Sequence, residues 1–101
     1  MINRGGEKIY PREIEDFLLA QPGVRSAAVD AARDEVLGER PVGYVVPAGP
    51  LRADTLHRAC AAGLPRPKRP SEFHLVAELP AGPTGKVARR RLRDLAAASA
   101  S

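Results

Sequence analysis

Proline and glycine set the terms on which this chain can fold. Its 101 residues contain ten prolines and nine glycines. They gather at Gly5-Gly6, Pro22-Gly23, Pro47-Ala48-Gly49-Pro50, the three prolines of segment 64–70, and Pro80-Ala81-Gly82-Pro83-Thr84-Gly85. Each cluster breaks a helix or a strand, because proline lacks the amide proton and glycine frees the backbone. The fold is therefore assembled from short elements. The length fits one domain, 1–101, with a modest core and no enclosed substrate cavity, so a substrate must lie on its surface or against a partner.

Between the breaks, the side-chain pattern assigns the elements. Gly5-Gly6 permits a tight turn, and Glu7-Lys8-Ile9 reads as a short extended piece. Pro11 suits the first turn of a helix. Glu13, Glu15 and Asp16 favour its positive end, and Ile14, Phe17 and Leu18 recur on one face until Gln21-Pro22-Gly23 stops it. Segments 24–32 and 41–46 read as strands, with Val42, Tyr44 and Val46 on one side of the second, and 34–40 between them as a polar loop containing Gly38. Segment 51–62 reads as a helix that turns Leu56, Ala59, Cys60 and Gly63 inward, and 64–70 as an extended elbow. In the next strand Phe73, Leu75 and Ala77 alternate with His74 and Val76. A last helix from about residue 88 sets Leu92, Leu95 and Ala96 against the core, and 97–101 fray. The expected class is α+β: a small three-stranded sheet with helices packed on it, plus a short N-terminal hairpin.

Several functions are set aside by composition and spacing. No apolar run approaches the ~20 residues of a membrane span. The N-terminal run has no signal core, so a cytoplasmic location is expected. The single Cys60 cannot form an internal disulfide, and no Cys/His cluster has metal-ligand spacing. A phosphate-binding P-loop would need glycine where Pro80 stands and Ser or Thr where Val87 stands. His57 and Cys60, three apart on a helix, lack an orienting carboxylate and read as a surface histidine and a core thiol; His74 reads as a packing or surface residue. The three carboxylates of the first helix read as partners of its dipole.

The formal charge is +4, with cations gathered at Arg66, Lys68 and Arg69 and again at Arg89-Arg90-Arg91-Leu92-Arg93. Such clusters suit a polyanion: a nucleotide, a coenzyme or a nucleic acid. Ahead of the second cluster, the loop ending in Thr84-Gly85-Lys86 carries two prolines and two glycines, which hold Lys86 out as a single cation on stiff backbone.

Two blocks and their spacing carry a family resemblance. Ile2-Asn3-Arg4-Gly5-Gly6-Glu7-Lys8-Ile9-Tyr10-Pro11-Arg12-Glu13-Ile14-Glu15 opens the chain, and Leu79-Pro80 leads through Thr84-Gly85-Lys86 to Arg89-Arg90. With Gly38-Glu39 and Lys68-Arg69-Pro70 between them, they resemble the small C-terminal domain of the adenylate-forming superfamily of acyl-CoA synthetases, aryl-acid AMP ligases, peptide-synthetase adenylation domains and luciferases. The resemblance spans essentially all 101 residues.

That resemblance implies a mobile lid on a two-step ligase that uses ATP, with Mg2+ expected in the full enzyme, to activate a carboxylic acid and then passes the acyl group to a thiol of coenzyme A or of carrier-protein phosphopantetheine. It implies that Lys86 enters the adenylation site. After a rotation, Gly5 and Gly6, with Glu7 and Lys8 in the same block, line the pantetheine channel, and Arg69 meets the nucleotide phosphates of coenzyme A. Pro67 stands where the family commonly has an aromatic residue, which weakens adenine stacking and leaves room for a carrier protein. The implied partner is the large N-terminal adenylation domain, in the same chain or a separate one, without which the lid is inactive. Two other classes compete. A basic nucleic-acid-binding module is disfavoured because the chain's four aromatics, Tyr10, Phe17, Tyr44 and Phe73, form no stacking platform. A non-catalytic interaction domain is disfavoured by the intact Gly85-Lys86.

Overall fold

The computed structural model describes residues 1–79. β1 (Ile2–Arg4) and β2 (Glu7–Ile9) form a hairpin closed by Gly5-Gly6, and α1 (Pro11–Leu19) follows directly. β3 (Val24–Asp34) and β4 (Gly38–Pro47) make a long antiparallel ribbon. Then come α2 (Ala53–Gly63), a 3-10 turn at Arg66–Lys68, and β5 (Glu72–Leu75), which lies parallel to β4. The α+β class is as expected, and the hairpin is part of the same sheet: β1 pairs with β4 through Arg4 and Gly38, giving five strands centred on β4. Among the described residues no helix is long and apolar enough to cross a membrane.

Both helices cover one face of the sheet. Ile14 and Leu18 of α1, Leu56 and Cys60 of α2, Val29, Val45 and Phe73 form its core, together with Ile2 and Ile9 from the hairpin. Full burial of each such aliphatic side chain contributes about 1.5–3 kcal/mol. Gly63 belongs here because a Cβ would overlap the Phe17 ring, so the inward reading of that position holds although the residue itself is exposed. The opposite face carries a smaller cluster of Ala28, Val42 and Tyr44, packed with Ala32 and Leu79. Val42 and Tyr44 thus share a side, but it is the side away from α1 and α2.

Three details differ from expectation. The polar loop of 34–40 shrinks to a three-residue turn, because the Asp34 carboxylate accepts the amides of Val36 at 2.9 Å and Leu37 at 2.8 Å and folds the chain back early. The strands then pair all the way to Asp34 and Gly38. The elbow is not extended throughout: Lys68 N donates to Pro65 O and Arg69 N to Arg66 O, since proline is as acceptable at the start of a tight turn as in an extended run. β5 ends at Leu75, which is 38% exposed, so the anticipated alternation through Ala77 is cut short. The loop bearing Lys86 and the last helix lie outside the described residues.

Carboxylates read as dipole partners have more specific work. Glu15 accepts the amide of Val29 at 2.7 Å, satisfying a donor on β3, which lies at the end of the strand order. Glu13 accepts from Lys68 across 55 positions of sequence.

Candidate functional site

The Gly5-Gly6 turn is built from backbone. Gly5 has φ +58° and Gly6 φ +90°, in the region that side chains avoid. Gly5 N donates to Leu37 O at 2.8 Å. Gly6 N donates to Asn3 Oδ1 at 3.2 Å, and Asn3 N donates to Glu39 Oε1 at 2.9 Å. Gly38-Glu39 therefore acts as a brace: Gly38 meets Arg4 in the sheet and Glu39 holds Asn3 beneath the turn. A Cβ on Gly5 would crowd Leu37 Cδ2 at 3.1 Å, whereas one on Gly6 would meet nothing within 4 Å. The outer side of the turn is thus open, and the neighbouring Glu7 and Lys8 are exposed.

The elbow is held by side chains. Arg4, one residue before the turn, donates through Nη1 to Pro67 O at 3.2 Å and Arg69 O at 3.4 Å. Lys68 Nζ binds Glu13 Oε1 at 2.6 Å. Arg69 Nε donates to Leu64 O at 2.8 Å and its Nη2 to Ala61 O at 3.0 Å, so its guanidinium caps the carbonyl end of α2. Arg66 is exposed on the same turn. The structure therefore brings Gly5, Gly6, Glu7, Lys8 and Arg69 into one connected region, and adds Arg4, Glu13, Gly38 and Glu39 as its supports. Lys86 lies outside the described residues. Nothing periodic in the sequence announces Arg4, whose partners stand more than sixty positions away. The Asn3-to-Glu39 contact had a signal, since both residues fall in motif blocks.

A second concavity, a cleft of about 570 Å3 on the face away from the helices, is lined by Arg33, Arg40, Val42, Tyr44, Glu72 and His74. Arg40 and Glu72 are spent on each other. Arg40 binds Glu72 at 3.0 Å and the Arg33 carbonyl at 2.8 Å. The hydrogen bond from Arg40, ahead of the nearby His74, holds the Glu72 carboxyl below its usual range. His74 stacks on Tyr44 with ring centroids 5.3 Å apart, and its Nε2 lies 2.9 Å from Glu72 Oε2 without hydrogen-bond geometry. His74 is thus the packing residue the sequence indicated. Burial pushes the Cys60 thiol up to about 11, and His57 meets the Phe73 ring edge-on at 4.7 Å, so that pair is no nucleophile and base. Among the described residues no group of three or more His, Cys, Asp or Glu could hold a metal.

The aromatics offer no base-stacking platform. Tyr44 and Phe73 are buried and Phe17 packs against the core, leaving Tyr10 exposed.

Known proteins point the same way as the motifs. The model of the AMP-binding enzyme C-terminal domain matches residues 13–86. The sulfoacetate–CoA ligase of Cupriavidus necator is 46% identical over 94 residues, covering 91% of this chain and 18% of that protein. Component E of the enterobactin synthase of Escherichia coli is 42% identical over 101 residues, covering 99% of this chain and 19% of that protein. A solved structure of the o-succinylbenzoate CoA synthetase of Bacillus subtilis, a double mutant bound with a product analogue, superposes with a TM-score of 0.87 at 39% identity, over 92% of this chain and 19% of that one. The same synthetase in complex with ATP and magnesium ion superposes with a TM-score of 0.80 at 38% identity, over 89% of this chain and 18% of that one. The chain spans about a fifth of the length of these relatives. With that identity along nearly its whole length, the chain belongs to the family of AMP-binding enzyme C-terminal domains.

Proposed function

We propose that this chain is the mobile C-terminal domain of an ATP-dependent, AMP-forming carboxylic acid:thiol ligase, and that its two motif blocks serve the two half-reactions in turn. In the first, a carboxylate oxygen bonds to the α-phosphorus of ATP and pyrophosphate leaves. Negative charge crowds between the two anions as that bond forms, and a positioned ammonium stabilises it where water is scarce. Lys86 is the cation assigned to that task. In the second, a thiol sulfur attacks the acyl carbon, AMP leaves with its electron pair, and the thiol gives up its proton.

The observation that carries the thiol half is the open glycine turn. Gly6 presents bare backbone with free space where a Cβ would stand, and both glycines hold conformations that residues with side chains rarely adopt. A thin pantetheine arm needs that close approach. Glu7 and Lys8 stand exposed beside it and are assigned to the channel rim. The large nucleotide-binding domain is the partner this reading requires, and it agrees with the one-fifth span of the relatives. The thiol is read as that of coenzyme A, which stands in the names of the sulfoacetate and o-succinylbenzoate relatives; a carrier-protein thiol is the alternative, because Pro67 stands where the family commonly has an aromatic residue.

The test is acid-dependent ATP–pyrophosphate exchange, run with a panel containing sulfoacetate, 2-succinylbenzoate, aryl acids and fatty acids. This chain mixed with or joined to its large domain should exchange, and the chain by itself should not. Lys86→Ala should lower exchange by about a few hundredfold, the effect of losing one transition-state donor. Exchange by the chain alone that survives Lys86→Ala would overturn the assignment, as would silence of the complete ligase across the panel.

A further inference from the structure

We propose that the tip of the β3–β4 ribbon, Val36 with Leu37, is a docking contact for the large nucleotide-binding domain, made when the glycine turn faces that domain for thiol transfer. The proposal rests on the ligase reading above.

A turn at a ribbon tip has no need of apolar side chains, since polar residues and glycine close it at less cost. Here Glu35-Val36-Leu37 close the ribbon, with Val36 88% exposed and Leu37 38%. Val36 is the most exposed large apolar side chain among the described residues. Its place is nonetheless fixed. The Asp34 carboxylate accepts the amides of both Val36 and Leu37, and Leu37 O accepts Gly5 N at 2.8 Å. Leu37 Cδ2 lies 3.1 Å from where a Cβ on Gly5 would stand, so the tip leans on the glycine turn. A β-branched side chain on so fixed a base has little conformational freedom left to lose when a partner covers it. The other exposed apolar residues are scattered: Met1 and Tyr10 at the open end of the hairpin, Leu19 at the end of α1, and Leu75 at the end of β5. Val36 and Leu37 instead adjoin the bare backbone of Gly5 and Gly6, with Glu7, Lys8 and Glu35 exposed around them. An apolar centre with a charged rim is the form of a protein contact surface.

Position and charge select the occupant. The chain covers 18–19% of its relatives, so the body on which the glycine turn works is the remainder of the ligase. Because Gly5 N and Leu37 O are bonded, whatever surface the turn approaches, the tip approaches too. Residues 33–39 carry Arg33 against Asp34, Glu35 and Glu39, an acidic balance that opposes a polyanion, whether the phosphates of coenzyme A, an acidic carrier protein or an anionic membrane. The contact belongs to the thiol half-reaction, since the adenylation step is assigned to the other motif block.

Thioester formation and pyrophosphate exchange by the complete ligase test this. Val36→Ser removes the apolar tip without adding a charge beside Asp34, and at so exposed a position it should leave the melting temperature unchanged. It should lower kcat/KM for the thiol about tenfold or more, the loss expected for one buried aliphatic side chain, and do so equally for coenzyme A and free pantetheine. Pyrophosphate exchange should hold, and Val36→Ile should keep wild-type rates. A photo-crosslinker in place of Val36 should join to the large domain in the presence of the acid, ATP and coenzyme A. Unchanged thioester formation in Val36→Ser would overturn the proposal, as would equal losses in both half-reactions, a loss confined to one thiol donor, or crosslinks to a second copy of this chain in place of the large domain. Those results, in a ligase whose wild type makes thioester, leave the ligase reading standing. A wild type that forms no thioester with either thiol removes both.

Discussion

The glycine turn and the elbow lie side by side, yet they are held by different chemistry. The turn is fixed by backbone: two positive φ angles, the Gly5-to-Leu37 bond, and the Gly6 and Asn3 amides held by the Asn3 and Glu39 side chains. The elbow is fixed by long side chains reaching in from elsewhere: Arg4 from β1, Glu13 from α1, and Arg69 folding back onto α2. A surface that must let a narrow ligand pass gains from having no side chains to move. One that must carry a charged tip can be propped from beneath, provided the props themselves stay off the ligand. The two regions should therefore fail differently, the turn through added atoms and the elbow through lost ones.

The hardest blow to this contrast is Gly5→Val. It forces a β-branched residue to φ +58° and drives its side chain toward Leu37. The left-handed conformation alone costs roughly 1–2 kcal/mol, and crowding adds to it, so the melting temperature should fall by about 8 °C or more. Gly6→Ala sharpens the same point. It meets no neighbour, so its cost is conformational only, about 1 kcal/mol, yet thioester formation should fall well beyond what that loss of stability explains while pyrophosphate exchange holds. Equal loss in both half-reactions would mean that the open side of the turn does not face the thiol.

On the elbow side, Arg69→Ala removes two carbonyl partners and should destabilise by about 1–2 kcal/mol, within the range of charge-assisted hydrogen bonds at a partly exposed site. Thermal melting should register it, and hydrogen exchange should place the loss at the end of α2. Glu13→Gln cuts a pair whose carboxylate is about half exposed and should cost below about 1 kcal/mol. A larger effect of Glu13→Gln than of Arg69→Ala would reverse the order of the props.

The sequence showed most of the turn and little of the elbow, for a physical reason. Turn chemistry is local: Gly5-Gly6 with Asn3 upstream states its own geometry, as Ile14 and Leu18 or Leu56 and Cys60 state a helix face by their spacing. The elbow's three prolines were compatible with either an extended run or a tight turn, and only the bonds from Lys68 N and Arg69 N decide for the turn. Arg4 and Glu13 reach partners more than fifty positions away, and no periodicity encodes such a meeting. Arg69 fell inside a recognisable block, but a motif does not say whether a guanidinium points at a ligand or at its own helix. The ribbon tip failed for a third reason. Polar residues in 34–40 suggested a loop, while the Asp34 carboxylate makes them the end of a strand, a turn and the start of the next strand.

That carboxylate supplies the smallest and most selective probe of the comparison. The amides of Leu37 and then Val36 hold the Asp34 pKa below its ordinary 3.8, and Arg40 and Arg4 act in the same direction. A depressed folded pKa means that Asp34 supports the structure above the unfolded value and that the support is lost as pH falls through the folded one. Since Leu37 O accepts from Gly5 N, loosening this tip should reach the glycine turn. Titrating from pH 5 downward, the amide resonances of Leu37 and Gly5 should move together with a midpoint below 3.8. Asp34→Asn keeps an acceptor but abolishes the ionisation, so the Gly5 transition should vanish. If the Lys68 amide moved with that of Gly5 and lost the movement in Asp34→Asn, turn and elbow would be one cooperative unit, and the division between a backbone-built turn and a side-chain-propped elbow would not hold.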